Sequence, residues 1–289
     1  MAAPSNTTLS TDVAPAISLD YTSRIRDNID QLREMLGISE MIPMAAGNTI
    51  NMYSLTRYNT PAQVAEGFEV PLTEIKRTVA KSVTLALLKY RKLTTAEAIQ
   101  KTGADIAVNM TDAKLVSEVQ KDIKAAFFTS VKTGTGTVTA GTTLQEQLAN
   151  NWAAVAAGFE DQDCRPIHFI NPADAAAYLG AANITIQNAF GMQYIEDFLG
   201  LGTVVLTTQV TATNVWSTAK ENLCGFYAPV NGDLADQFGL SYDETGLIGM
   251  VHNAMTSHAS IETLLMAGVV FCPEVLTKVY KGIITPASA

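Results

Sequence analysis

The stretch DAKLVSEVQKDIKAAFFTSVK, from Asp112 to Lys132, constrains the fold more than any other, because it is the longest unbroken helical pattern in the 289 residues. Val116, Val119, Ile123, Phe127 and Val131 recur at helical spacing and form one apolar stripe, while Lys114, Glu118, Lys121, Asp122 and Lys124 fall elsewhere around the helix. Thr111 is placed to cap the start, Asp112 sits at the positive end of the helix dipole, and Lys132 and Gly134 stand where a helix stops. At 1.5 Å per residue the rod is roughly 30 Å long. Each large apolar side chain buried along it stabilises the fold by about 1.5–3 kcal/mol before entropy is counted. None of these residues carries chemistry, so the pattern predicts a structural beam with other elements laid around it.

Before the beam, residues 1–20 are rich in Ser, Thr, Ala and Pro without periodicity, the composition of an arm that needs a partner to order it. A helix is predicted from about Tyr21 to Leu36, with Ile25, Ile29, Leu32 and Leu36 on one face and Gly37 past its end. TINMYSLTRY (49–58) reads as a strand. After a connector holding Pro61, Gly67 and Pro71, residues 74–87 alternate, with Ile75, Val79, Val83, Leu85 and Leu87 on one side and Lys76, Thr78, Ala80, Ser82 and Thr84 on the other. The two strands make a hairpin with a reach of roughly 30 Å. A two-stranded ribbon alone is marginal in water, so it either lies on its own domain or is completed by another chain. A short helix is predicted around Thr95 to Lys101, closed by Gly103.

After the beam, TGTGTVTAGTT (133–143) has glycines that miss the spacing of a phosphate-binding loop and reads as a surface connector. Residues 144–229 have an alternating α/β grammar. A helix with Leu144, Leu148, Trp152 and Val155 precedes the strand RPIHFI (165–170), and Asn171 and Pro172 open another helix. FGMQYIEDFLG (190–200) is predicted as a turn and short helix, TVVLTTQV (203–210) and NLCGFYAPV (222–230) as strands, and 258–270 and 274–284 as long strands returning to the core. Phe127, Phe128, Trp152, Phe190, Tyr194 and Phe198 fall on predicted core faces.

Charged residues are 16% of the chain, against roughly 25% in an ordinary globular domain. Either neighbouring subunits cover much of the surface or Thr, Asn and Gln make it polar. The net charge of −9 argues against a phosphate-gripping surface. The one basic cluster, KYRK at 89–92, reads as a solvated face or a set of salt-bridge partners. Cys164, Cys224 and Cys272 form no CxxC pair and suggest neither a zinc site nor a disulfide framework; they read as thiols of a reducing compartment. The N-terminus has no secretion-signal pattern, and the longest apolar run, 264–272, is half of what a membrane span needs, so no membrane partner is expected. His168, His252 and His258 fall in no metal-ligand spacing, and His168 within a strand reads as a hydrogen-bonded core residue. Glu160, Asp161 and Asp163 read as a solvated turn, and no nucleophile elbow or phosphate loop occurs. No catalytic, cofactor or metal site is expected.

The order of these elements resembles the major capsid proteins of tailed bacteriophages, with the Hong Kong 97-type fold. The phrases AEGFEVPLTEIK (65–76), FINPADAAAYL (169–179), FGMQYIEDFLG (190–200) and VVFCPEVLTKVY (269–280) look alike too. The resemblance covers nearly the whole chain and rests on element order more than on any phrase. It implies an α+β chain with an N-terminal arm (1–20), a helix and linker (21–47), an extended E-loop hairpin (48–90) and a peripheral domain (91–141) whose spine helix is 112–133. An inserted axial α/β domain (142–255) and closing peripheral strands (256–289) follow. It implies that Glu66, Glu69, Glu74, Lys76, Arg77 and Lys81 of the E-loop make inter-subunit contacts, and that Val116, Val119, Ile123, Phe127 and Val131 form the spine-helix core. Some relatives join an E-loop Lys to a neighbour's Asn; Lys76 and Lys81 read as solvated lysines and no crosslink is assigned. No long acidic or coiled segment precedes Tyr21, so a scaffolding domain would be cleaved off or a separate protein.

The implied role is mechanical. Copies of the chain assemble as pentamers and hexamers of an icosahedral shell around double-stranded DNA, without sequence-specific binding, in the host cytoplasm, with scaffolding, portal and decoration proteins as further partners. The negative charge suits a shell that must not trap its genome. Encapsulin nanocompartments share the fold and are the alternative. A small-molecule-binding or enzymatic α/β domain with a β-hairpin appendage is the alternative of another class.

Overall fold

The computed structural model describes residues 29–38, 41–58, 64, 69–70, 72, 74–160, 163–179, 186–189, 192–242 and 246–285. Helix α1 (29–36) buries Ile29, Leu32, Met35 and Leu36 and ends at Gly37, whose φ of 73° suits glycine. After the short β1 (Met41–Pro43), β2 (Thr49–Tyr58) and β3 (Glu74–Thr84) pair antiparallel from Thr49↔Thr84 to Tyr58↔Glu74. β4 (Leu88–Thr95) leads into α2 (Ala96–Thr102), capped by Thr95, whose hydroxyl accepts the Ala98 N–H. A π-helical stretch, Asp105–Met110, runs without a break into α3 (Thr111–Val131).

Thr111 therefore does not cap α3. Its hydroxyl donates instead to the Ala107 and Val108 carbonyls one turn back. Beyond α3 come β5 (Gly136–Thr137), α4 (Leu144–Gly158) capped by Thr143, β6 (Pro166–Ile170), α5 (Pro172–Leu179), β7 (Gln187–Ala189), β8 (Met192–Ile195), β9 (Thr203–Leu206) and β10 (Asn214–Ala219). The chain finishes with β11 (Leu223–Tyr227), α6 (Asp233–Phe238), β12 (Ser241–Tyr242), β13 (Ile248–Met255), β14 (Ser260–Ala267), β15 (Val269–Pro273) and β16 (Tyr280–Ile283).

Among the described residues these strands form a seven-stranded sheet β5-β16-β10-β6-β9-β8-β7, a four-stranded sheet β12-β13-β14-β4, a three-stranded sheet β1-β11-β15, and the ribbon β2-β3. The stripe Val116, Val119, Ile123, Phe127 and Val131 is buried where α3 packs on β15. Phe127 and Phe128 meet Phe169 of β6 at 5.7 and 5.4 Å, and Phe127 meets Phe271 of β15 at 6.5 Å, all edge-to-face. One end of α3 thus joins two different sheets into one core. A second cluster, with Leu148, Ile170, Val204, Leu206 and Val215, fills the space between α4, α5 and the seven-stranded sheet.

Several elements depart from the sequence reading. Within the segment 190–200, of which 192–200 are described, residues 192–200 hold strand β8 and a tight turn, because Asp197 (φ 46°) and Leu199 (φ 55°) are left-handed and cannot continue a helix. The expected long strand at 258–270 begins at Ser260 and ends before Gly268. The one expected at 274–284 is a 3₁₀ turn, Leu276–Lys278, followed by β16. Closing elements β14, β15 and β16 consequently go to three different sheets. Trp152 is 40% exposed on α4, and Phe190 lies outside the described residues. Strands β10 and β13 are not signalled by the sequence. β10 is central yet carries buried Ser217 and Thr218, whose polarity hides it; Thr218 donates to the Lys278 carbonyl at 3.0 Å.

Candidate assembly surface

In the ribbon, register shifts between Met52 and Tyr53: Met52 pairs with Lys81 and Tyr53 with Val79, which leaves Ala80 as an extra residue. Such a bulge inverts the side-chain alternation beyond it. Ile75, Arg77 and Val79 therefore share a face with Ser82 and Thr84, not with Val83 as the unbroken alternation predicts. Cross-strand contacts on that face agree. The Arg77 guanidinium lies 3.4 Å from the centre of the Tyr53 ring, Ser82 donates to Asn51 at 2.7 Å, and the Thr49 and Thr84 hydroxyls are 3.4 Å apart.

The bulge divides the ribbon by function. Val83 and Ile50, on the other face near the root, pack against Phe226 and Cys272 of the three-stranded sheet. The root is pinned by the backbone: Leu85 N donates to Asn48 O and Gly47 N to Leu85 O, at 3.0 and 2.8 Å. Farther out, Ile75 is 66% exposed, Val79 54%, Val70 72% and Leu72 89%. No third strand pairs with β2 or β3 among the described residues. A ribbon of this length with apolar residues facing water presents both unpaired strand edges and an apolar surface, the two features that attract another chain.

Of the residues assigned to inter-subunit contacts, Glu74 and Lys76 pair with each other at 3.2 Å, and Arg77 is stacked on Tyr53. Glu69 is exposed, Lys81 stands opposite Met52 in the ladder, and Glu66 lies outside the described residues. The structure brings Glu74, Lys76 and Arg77 together on β3 and adds apolar residues to the surface: Tyr53, Val70, Leu72, Ile75 and Val79. The alternation of 74–87 signalled Ile75 and Val79, but it does not say that they face solvent while Val83 packs inward.

The basic cluster 89–92 is engaged within the chain. Lys92 Nζ donates to the fully buried Asp112, to Thr111 Oγ1 at 2.5 Å and to the Val108 carbonyl at 3.2 Å. His252 Nε2 meets the other Asp112 oxygen at 2.8 Å, so one carboxylate ties β4 and β13 to the start of α3. Arg91 holds Glu262 through two nitrogens, at 2.5 and 3.1 Å, and Tyr90 donates to Asp122 at 2.5 Å. Burial first, then that carboxylate, pushes the Tyr90 hydroxyl upward. On the outer face of α3, hydrogen bonds from Lys114 and Lys121 pull the Glu118 carboxyl down to about 2.

A buried polar chain runs through the seven-stranded sheet. Gly141 N donates to Gln147 Oε1 (2.6 Å), Gln147 Nε2 to Asn151 Oδ1 (2.7 Å) and Asn151 Nδ2 to Ser217 Oγ (2.8 Å). Ser217 Oγ lies 2.7 Å from His168 Nδ1, and His168 Nε2 lies 3.0 Å from the Leu201 carbonyl. That carbonyl can only accept, so Nε2 carries the proton, Nδ1 accepts from Ser217, and every donor in the chain is assigned. Burial drives the imidazole down to about 4, against the weaker opposing pull of the Leu201 carbonyl. Gly282 of β16 leaves room for the chain: a Cβ there would stand 2.0 Å from Gln147 Nε2.

Among the described residues no three His, Cys, Asp or Glu side chains converge as a metal site, and no helix is long and apolar enough to cross a membrane. No protein family and no curated protein sequence matches the chain. Solved structures do. An encapsulin complex from Synechococcus elongatus matches with a TM-score of 0.56 at 10% identity over 89% of this chain and 90% of that one. The capsid of an empty GTA particle matches at 0.52 and 11% over 88% and 90%, and a chain of Mycobacterium phage Patience at 0.53 and 11% over 100% and 96%.

Proposed function

We propose that this chain, which has the Hong Kong 97-type capsid fold, is the major capsid protein of a tailed double-stranded DNA bacteriophage. Copies assemble as pentamers and hexamers into an icosahedral shell around the genome. The observation that carries the reading is the ribbon β2–β3: rooted on its own subunit through Ile50 and Val83, but with Ile75 and Val79 left in water, it is built to lie on the next subunit. In this reading residues 48–90 are the E-loop, 91–141 with 256–289 the peripheral domain, and 142–255 the axial domain. The role is mechanical and not catalytic, and maturation moves rigid units while α3 and the ribbon change tilt. DNA is enclosed without sequence recognition, assembly takes place in the host cytoplasm, and scaffolding, portal and decoration proteins are further partners.

The encapsulin match supports a second reading, a nanocompartment shell around protein cargo. Negative-stain microscopy with sedimentation of the purified chain tests the shared premise: shells, tubes, pentamers or hexamers support it, and a stable monomer with candidate scaffold present refutes it. Nucleic acid or enzyme inside particles from the native source separates the two readings. Deleting the ribbon tip, Asn59 to Glu69, is expected to leave a folded subunit that forms no stable shells; normal particles would remove the ribbon from assembly.

A further inference from the structure

Two cysteines that are far apart in sequence stand opposite each other in the three-stranded sheet. Register pairs Cys224 of β11 with Cys272 of β15. Hydrogen bonds from Ala228 N to Gly268 O and from Glu274 N to Asn222 O fix the phase of the ladder, so the hydrogen-bonded pairs are 222–274, 224–272, 226–270 and 228–268. Pro273, which has no N–H, falls on a non-bonded pair, as that phase requires. Hydrogen-bonded antiparallel pairs hold their Cα atoms about 5.5 Å apart, within the span of a disulfide. The sulfur atoms are 3.6 Å apart, and the Cys224 thiol donates to the Cys272 carbonyl at 3.1 Å.

Cys272 is fully buried, but Cys224 is half-buried and lines a groove of about 630 Å³ beside the ribbon root, with Ile42, Ile50, Tyr53, Arg77 and Glu274. A small reagent therefore reaches one sulfur while the second waits behind it. Cys164 lies elsewhere, packed against the cluster of Val155, Phe159 and Ala219.

We propose that Cys224 and Cys272 are a disulfide site, in which oxidation by a low-molecular-weight disulfide links β11 to β15 under the root of the ribbon. The Cys224 thiolate attacks the reagent, forms a mixed disulfide and expels one thiolate. The Cys272 thiolate then displaces the second thiol and closes the Cys224–Cys272 bond. Two protein thiols are oxidised, the reagent disulfide is reduced to two thiols, and the two protons lost by the cysteines end on those thiols or in solvent. The hydrogen bond with Cys272, burial and neighbouring negative charge all push the Cys224 thiol upward, so its thiolate fraction, and with it the rate of attack, rises with pH.

The test uses the soluble full-length chain with oxidised glutathione in mildly alkaline buffer, then alkylation of the remaining thiols after unfolding, and peptide mass mapping. The expected result is loss of two hydrogens, a Cys224–Cys272 peptide, and alkylation at Cys164 alone. Cys164→Ala should behave identically, and Cys272→Ala should stop at the glutathione adduct on Cys224. The linked form should melt roughly 5–10 °C higher, because the bridge closes a long loop in the unfolded chain. A bridge through Cys164 or between chains, a glutathione adduct that persists in the unsubstituted chain, three alkylatable thiols after prolonged oxidation, or an unchanged melting point in the linked form would each overturn the proposal.

Discussion

Helix α3 and the ribbon β2–β3 are both extended elements of roughly 30 Å with regularly spaced apolar residues, yet they use those residues in opposite ways. The α3 stripe is buried inside its own subunit, where Phe127 meets rings from two sheets. In the ribbon, the bulge at Ala80 turns Val83 inward and leaves Ile75 and Val79 outward. One element supplies the stability of the subunit. Among the described residues, the other packs on its own chain near its root through Ile50 and Val83 and leaves Ile75 and Val79 exposed to solvent.

The sharpest break of this comparison is Phe127→Ala. It empties the junction of the two sheets and is expected to cost about 3–5 kcal/mol of subunit stability, read from denaturant midpoints. A loss under about 1 kcal/mol would mean that α3 does not carry the core.

A second test asks whether the sheet behind α3 resists acid as its buried chain requires. His168 is held down to about 4, from an ordinary 6.5, so below 6.5 the unfolded chain takes up a proton that the native chain refuses. Its contribution is fully present above pH 6.5 and is lost as the pH falls toward 4, about 3 kcal/mol in all. Compared with His168→Gln, the unsubstituted protein should lose about 2–3 kcal/mol more stability between pH 7 and 4.5. Parallel pH profiles for the two proteins would place the imidazole in contact with water.

The smallest effect on the subunit is expected at the ribbon. Ile75→Asp with Val79→Asp should change unfolding by less than about 0.5 kcal/mol, because both residues already face solvent, while shells fail to form in sedimentation. A large loss of subunit stability would show that the outer ribbon folds onto its own chain, and the contrast with α3 would disappear.

Some of this was readable from composition and period. The stripe of α3, the stop at Gly37 and the two ribbon strands are local features, set by side-chain shape and hydrogen bonding within a few residues. Strand β10 was not, because its buried Ser217 and Thr218 look like a loop until their partners, Asn151, His168 and Lys278, are brought in from elsewhere in the chain. Asp112 likewise read as a dipole charge, while its partners Lys92 and His252 stand 20 residues before and 140 after it.

The sequence alone determined the long helix α3, where the ribbon lies and that the chain carries no recognisable catalytic motif, since periodicity acts over one or two turns. Tertiary structure decided the rest. A single extra residue at Ala80 changes which face of the ribbon is wet, and strand register sets Cys224 against Cys272. Packing leaves one His168 proton arrangement that satisfies every donor in the chain from Gly141 to Leu201. These outcomes depend on pairing between residues far apart in the chain, and a local pattern holds no information about its distant partner.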